Sequence, residues 1–157
     1  MERETQDIQL ACFNLGDNLF AVDIMRIREI VLPLKMSSLP VVSHLLEGVI
    51  NLRGTVIPVM DLRRRFGMPA APGTIPGKLL IVALAGQTLA LAVDNVLEVI
   101  SVPSHEIKPP PASIDAIGME FLLGVCLSGE RVFMILDVDS LLVTADLKQF
   151  MPIPHEL

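Results

Sequence analysis

Residues 48–67 read GVINLRGTVIPVMDLRRRFG. Two apolar, β-branched runs, Gly48–Ile50 and Thr55–Met60, flank Asn51-Leu52-Arg53-Gly54. Such runs on either side of a short Asn/Gly segment are the pattern of a β-hairpin. Gly54 supplies the permissive backbone that a tight turn needs. Pro58 cannot donate to a ladder, so its strand is expected at an edge or a bulge. The arginine in the turn has no such local reason.

The stretch has a second copy downstream. GVINLRGTVIPVMDL (48–62) aligns with GVCLSGERVFMILDV (124–138), matching Gly48 to Gly124, Val56 to Val132 and Asp61 to Asp137. Upstream, ACFNLGDNLFAVDIMRIREIV (11–31) aligns with LIVALAGQTLALAVDNVLEVI (80–100) at an offset of 69, matching Glu29 to Glu98. In this alignment no arginine stands opposite Arg53, so only the first copy is expected to carry a charged turn. Each copy reads as strand, hairpin, strand, loop, strand, turn, strand. Two copies suggest two small barrels, because a solenoid needs about three repeats or more. The expected units are a tail (1–7), a first repeat (about 8–66), a linker (about 67–77), a second repeat (about 78–147) and a tail (148–157). Short helices are expected within PVVSHLLEG (40–48), with Gly48 as its stop, and DSLLVTADLKQF (139–150), capped by Asp139 or Ser140.

Composition bounds the function. The chain has 157 residues, is 52% hydrophobic and 19% charged, and carries a formal net charge of −6. It has no Trp or Tyr and six Phe. A nucleic-acid binder shows a basic footprint, and single-strand binders add stacking aromatics; nucleic acid is therefore not an expected partner. No segment supplies the ~20 apolar residues of a membrane-spanning helix. MERETQDIQL at the start lacks an apolar signal core, so a cytoplasmic location is expected. Cys12 and Cys126 lie in apolar stretches and read as buried, reduced thiols.

No constellation for catalysis stands out. His44, His105 and His155 are scattered, and HExxH, GxSxG, GxGxxG and P-loop patterns are missing from the sequence. Asp137-Val138-Asp139-Ser140 lacks the glycine and distal glutamate of a calcium loop, and reads as a strand end followed by a helix cap. Arg63-Arg64-Arg65 reads as a solvated charged face. On composition alone Ile27 and Val99 read as core, and Glu29 as a solvated strand charge.

Three stretches carry a family resemblance. GVINLRGTVIPVMDLRRRFG resembles the G-V-x-N-L-R-G-x-x-x-P-V-x-D-L-R-x-x-F run of the CheW family of bacterial chemotaxis coupling proteins. FNLGDNLFAVDIMRIREIV (13–31) is similar to that family's first strand, hairpin and strand. GQTLALAVDNVLEVISV (86–102) with Ile107-Lys108-Pro109-Pro110-Pro111 is similar to its third signature. The resemblance spans roughly residues 8–147. It implies an all-β fold of two SH3-like five-stranded barrels around a shared apolar core, agreeing with the repeat, with one or two short helices. It implies a non-enzymatic adaptor, without cofactor or metal, joining chemoreceptor tips to the regulatory domain of a CheA-type histidine kinase. A related scaffold in a non-flagellar chemosensory pathway is the alternative. Carried over by motif, the resemblance points to Ile27, Glu29, Asn51, Arg53 and Val99 for the receptor, and to Leu46 and Gly48 for the kinase. Strand alternation would put Ile27 and Glu29 on one face.

Overall fold

The computed structural model describes residues 6–38, 46–70, 77–84, 86–110 and 121–141. The protein is all-β, with two sheets and two SH3-like sub-domains. In chain order the strands are β1 (Asp7–Leu15), β2 (Asn18–Asp23), β3 (Ile27–Val31), β4 (Met36–Ser37), β5 (Gly48–Leu52) and β6 (Thr55–Asp61). There follow β7 (Lys78–Leu84), β8 (Gln87–Val93), β9 (Asn95–Pro103), β10 (Leu122–Ser128) and β11 (Arg131–Leu136). One sheet runs β10-β11-β2-β1-β9 and the other β3-β7-β8-β6-β5-β4.

The sequence repeats and the sheets are different units. The β1–β2 hairpin of the first repeat pairs with β9 and β11 of the second. The β7–β8 hairpin of the second repeat pairs with β3 and β6 of the first. Each repeat thus lends its leading hairpin to the other's sheet. A repeat counted along the chain gives the content of a barrel but not this exchange, which depends on long-range pairing.

Three apolar clusters follow from that topology. Leu10, Cys12, Val102, Cys126, Phe133 and Ile135 fill one barrel, and Ile50, Ile57, Val59, Leu79, Ile81 and Ala90 fill the other. Between them lies the shared core, which includes Phe13, Phe20, Leu62, Leu80, Leu91 and Leu136. Phe13, Phe20, Phe66 and Phe121 stack in a row through it, with ring centroids 5.6, 5.4 and 5.6 Å apart. Fully burying such a side chain contributes about 1.5–3 kcal/mol. This core is drawn from both repeats.

Two repeated glycines sit where another backbone passes close by. Gly48 on β5 faces β4, and a Cβ there would overlap the Ser37 carbonyl oxygen and the Met36 side chain. Gly124 on β10 faces the bridge between Lys108 and Val125, and a Cβ there would overlap the Lys108 carbonyl oxygen. The repeat thus keeps glycine where a crossing backbone leaves no room for a side chain. Gly48 begins a strand and does not stop a helix. Most of the helix expected at 40–48 lies outside the described residues.

The expectation of an edge strand or a bulge at Pro58 is corrected, because β6 is an interior strand with a regular register to β5. Leu52 pairs with Thr55 across the turn, which makes Val49–Pro58 a non-hydrogen-bonded pair within β5–β6. The proline nitrogen therefore points away from β5, and the parallel pairing with β8 starts only at Val59. No ladder bond is lost.

The helical expectations are partly displaced. Asp61 caps a single turn, α1 (Leu62–Arg65), its Oδ1 accepting from the Arg63 N–H at 3.0 Å. Asp137 follows the end of β11, and a 3-10 turn covers Val138–Leu141, so Asp139 and Ser140 lie within the turn and do not cap it, Ser140 donating to the Asp137 carbonyl at 2.8 Å. The rest of the expected 139–150 helix and the C-terminal tail lie outside the described residues.

Candidate functional site

Arg53 and Gly54 are the two central residues of the β5–β6 turn, and both have positive φ, 50° and 91°. Positive φ at both positions is the type I′ hairpin turn, which favours Asn, Asp and Gly. Arg53 is the only non-glycine residue in that region among the described residues. Asn51 supports the turn, its Oδ1 accepting from the Gly54 N–H at 2.8 Å. A backbone outlier held this way points toward a use for the side chain.

That side chain reaches Glu29 on β3, where Nη2 donates to Oε1. The hydrogen bond to the carboxylate, and then its charge, raises the Arg53 guanidinium further above its usual value. The ion pair joins the β5–β6 tip to β3, an edge strand of the six-stranded sheet. It is a latch across the barrel seam. Arg53 remains largely exposed, with N–H donors left for a further acceptor.

A bulge sets the aim of β3. Ile27 pairs with Val82 and Glu29 pairs with Ile81, so Arg28 is the extra residue. Partners adjacent on β7 point to opposite faces, and so do Ile27 and Glu29. This corrects the expectation of one shared face, because a bulge breaks the two-residue alternation. Ile27 packs against the shared core, and Glu29 is free to meet Arg53.

The second sub-domain repeats the arrangement. On β9 the register shifts at Leu97, the equivalent of Arg28, so that Glu98 pairs with Cys12 and Val96 with Phe13. Val96 packs on the shared core as Ile27 does. Arg131 donates to Glu98, closing the second barrel's seam. It also lies over the Phe133 ring, 5.1 Å from the centroid. The alignment held no arginine opposite Arg53, and this pair supplies one from the strand that follows the turn. Arg131 stands two positions beyond the residue aligned with Arg53, on the strand instead of in the turn. The matched Glu29 and Glu98 were the available signal.

Val99 is 54% exposed on β9, which removes the reading of it as core. Its counterpart Ile30 is 44% exposed. Glu29, Asn51 and Arg53 come together at one barrel seam. Ile27 borders them from the core side, and Val99 belongs to the other sheet. Leu46 and Gly48 are both buried, Leu46 within the shared core and Gly48 against β4. Neither therefore offers an exposed side chain in this chain. Local sequence gave no sign that β4 and the shared core cover them.

The arginine run after β6 is not a solvated face. Arg63 is buried and forms a bidentate pair with buried Asp94, at 2.9 Å from Nε and 2.6 Å from Nη2. Asp94 also accepts from the Gly16 N–H at 2.7 Å, and Arg63 donates to the Pro69 carbonyl at 2.9 Å. The Arg63 hydrogen bond holds the Asp94 carboxyl below its usual range, against the opposing effect of burial. Arg65 donates to the Leu141 carbonyl at 2.6 Å and covers the Phe121 ring at 4.4 Å. Arg64 alone keeps the expected surface character, near Glu47 at 3.8 Å. The run ties α1 to the β1–β2 turn, the β8–β9 corner and the end of the chain's described part.

Burial, with Glu98 and Cys126 nearby, pushes the Cys12 thiol up to about 12, so it is a protonated core residue and no nucleophile at neutral pH. Among the described residues, no group of three or more His, Cys, Asp or Glu side chains could hold a metal ion. No helix among them is long and apolar enough to cross a membrane.

A family model described as CheW-like domain matches residues 9–146. The chain is 30% identical over 148 residues to the chemotaxis protein CheW of Treponema pallidum, covering 92% of this chain and 87% of that one. It is 32% identical over 137 residues to protein FrzA of Myxococcus xanthus, covering 85% and 84%. Its fold matches the crystal structure of the scaffolding protein TtCheW from Thermoanaerobacter tengcongensis with a TM-score of 0.79. The two share 30% identity, with 91% of each chain covered.

Proposed function

The chain belongs to the CheW family of chemotaxis scaffold proteins, and from that premise we propose that it is a non-enzymatic adaptor coupling chemoreceptor tips to a CheA-type histidine kinase. The observation that carries the receptor side is Arg53, kept at positive φ and paired with Glu29 at the edge of β3. A turn selected for stability alone would carry Asn or Gly there. Glu29, Asn51 and Arg53 supply the polar anchors, Ile27 borders them, and Val99 adds apolar surface from the second sub-domain. The kinase regulatory domain takes an apolar barrel face, for which the exposed Leu123 and Leu127 on β10 are better suited than the buried Leu46 and Gly48. The adaptor works in the cytoplasm, at receptor arrays on the membrane.

Mechanistically, both partners bind a scaffold whose two sub-domains share one core. The scaffold holds receptor and kinase in a fixed relation. A receptor signal shifts the kinase only by the difference in contact energy between receptor states. Kinase activity in receptor-containing membranes, measured with and without the protein, tests the reading. Coupling predicts that ligand control of the kinase requires the protein; unchanged activity on its addition contradicts it. A scaffold of a non-flagellar pathway is the second reading, favoured by the similarity to FrzA. Recovery of the specific receptor from cell extract separates the two.

A further inference from the structure

We propose that Glu98 and Arg131 form a second anchor for the receptor tip, so that the tip meets one arginine–glutamate pair on each sub-domain. This rests on the reading that Glu29 and Arg53 face the receptor.

Four features of the first seam recur at the second. A bulge falls at Arg28 and at Leu97, and it turns Glu29 and Glu98 toward an arginine from the hairpin tip. The residue after each glutamate is an exposed aliphatic, Ile30 at 44% and Val99 at 54%. A second exposed valine follows on each hairpin, Val56 at 65% and Val132 at 51%. Ile27 and Val96 press on the same shared core, so the two edge strands flank it. Val99, already in the candidate receptor surface, follows Glu98 on β9, so the second anchor shares an edge strand with that surface, the two side chains alternating across it.

The chemistry fits an acidic, apolar partner. Arg131 commits an N–H to Glu98, is about half exposed, and is steadied by the Phe133 ring. Its remaining donors suit a carboxylate. A ligand seated across two quasi-equivalent patches gains most when its own face repeats about a two-fold axis. An antiparallel pair of helical hairpins presenting carboxylates beside aliphatic residues has that form.

The alternative is that the second pair only latches its barrel. Three variants of the full chain separate the roles: Arg53→Glu, Arg131→Glu, and the exchange Glu98→Arg with Arg131→Glu. Each is assayed by thermal melting and by calorimetric binding to a purified chemoreceptor cytoplasmic fragment. The exchange keeps opposite charges across the seam and should restore Tm toward the parent value. It reverses the charges offered to the ligand, so binding should stay about tenfold weaker, as in Arg131→Glu. If the exchange restores both Tm and affinity, the pair is a latch and the proposal is overturned. If Arg53→Glu weakens binding and Arg131→Glu does not, the second anchor is wrong while the receptor reading stands. If neither substitution changes affinity, both are wrong.

Discussion

The two barrel seams solve one problem with different backbones. In the first, the arginine occupies the turn itself, with φ at 50°. In the second, the turn glycine, Gly129, takes the positive φ of 66° and the arginine stands on β11 in ordinary strand conformation. Both reach a glutamate on a bulged edge strand. Seam closure therefore does not require a strained arginine, because the second half manages without one. What the strain adds is the position of the Arg53 head group at the extreme tip of the hairpin, where a partner would meet it first.

Tests of this comparison begin with what the two halves hold in common. Asp94→Asn should have the largest effect, because it leaves Arg63 buried and unpaired where three segments from both repeats meet. Breaking a buried pair in this way costs about 3–5 kcal/mol, or roughly 6–20 °C in Tm for a chain of this size. Melting should remain a single transition, since both barrels share the core; two separated transitions would show independent halves. The pair also predicts acid sensitivity. Asp94 has a depressed value in the folded state, so its stabilisation is intact above about pH 4 and is lost as pH falls through the folded value. Asp94→Asn should flatten that part of the pH–stability profile.

Next come the repeated glycines. Gly48→Ala and Gly124→Ala each push a Cβ into a backbone carbonyl. Each should cost at least about 1–3 kcal/mol, the range for overpacking, and denaturant titration should find the two similar. A large inequality would mean that one barrel yields where the other does not.

A smaller effect, of opposite sign in the two halves, is expected at the arginines. Arg131→Gly removes a latch and an aromatic contact and should lower Tm. Arg53→Gly removes a latch but also relieves the turn, and should leave Tm unchanged or raise it by about 2 °C.

Much of this architecture was legible in the chain. The repeated Gly48 and Gly124, the Asn-x-Arg-Gly turn and the β-branched runs gave two small barrels and their hairpins. Pro58 suggested an edge strand or a bulge, whereas β6 is an interior strand that tolerates the proline because its pairing with β8 begins only at Val59. The exchanged hairpins were not legible, since each repeat offers the same alternating pattern to either sheet and only three-dimensional closure decides. Arg63 was misread because burial of a charge depends on a partner 31 residues away, Asp94. The bulge at Arg28 was hidden because one unpaired residue leaves no mark in composition. Arg131 was missed because a strict alignment looks for an arginine at one column, whereas a side chain that long reaches the same glutamate from two positions further on.

The central claim is that Arg53 is kept at its turn for a partner and not for the fold. Arg53→Gly tests it most directly, with chemoreceptor-fragment affinity and Tm measured on the same preparation. The account predicts affinity lower by about tenfold or more with Tm unchanged or raised. Full affinity together with a clear fall in Tm would contradict it.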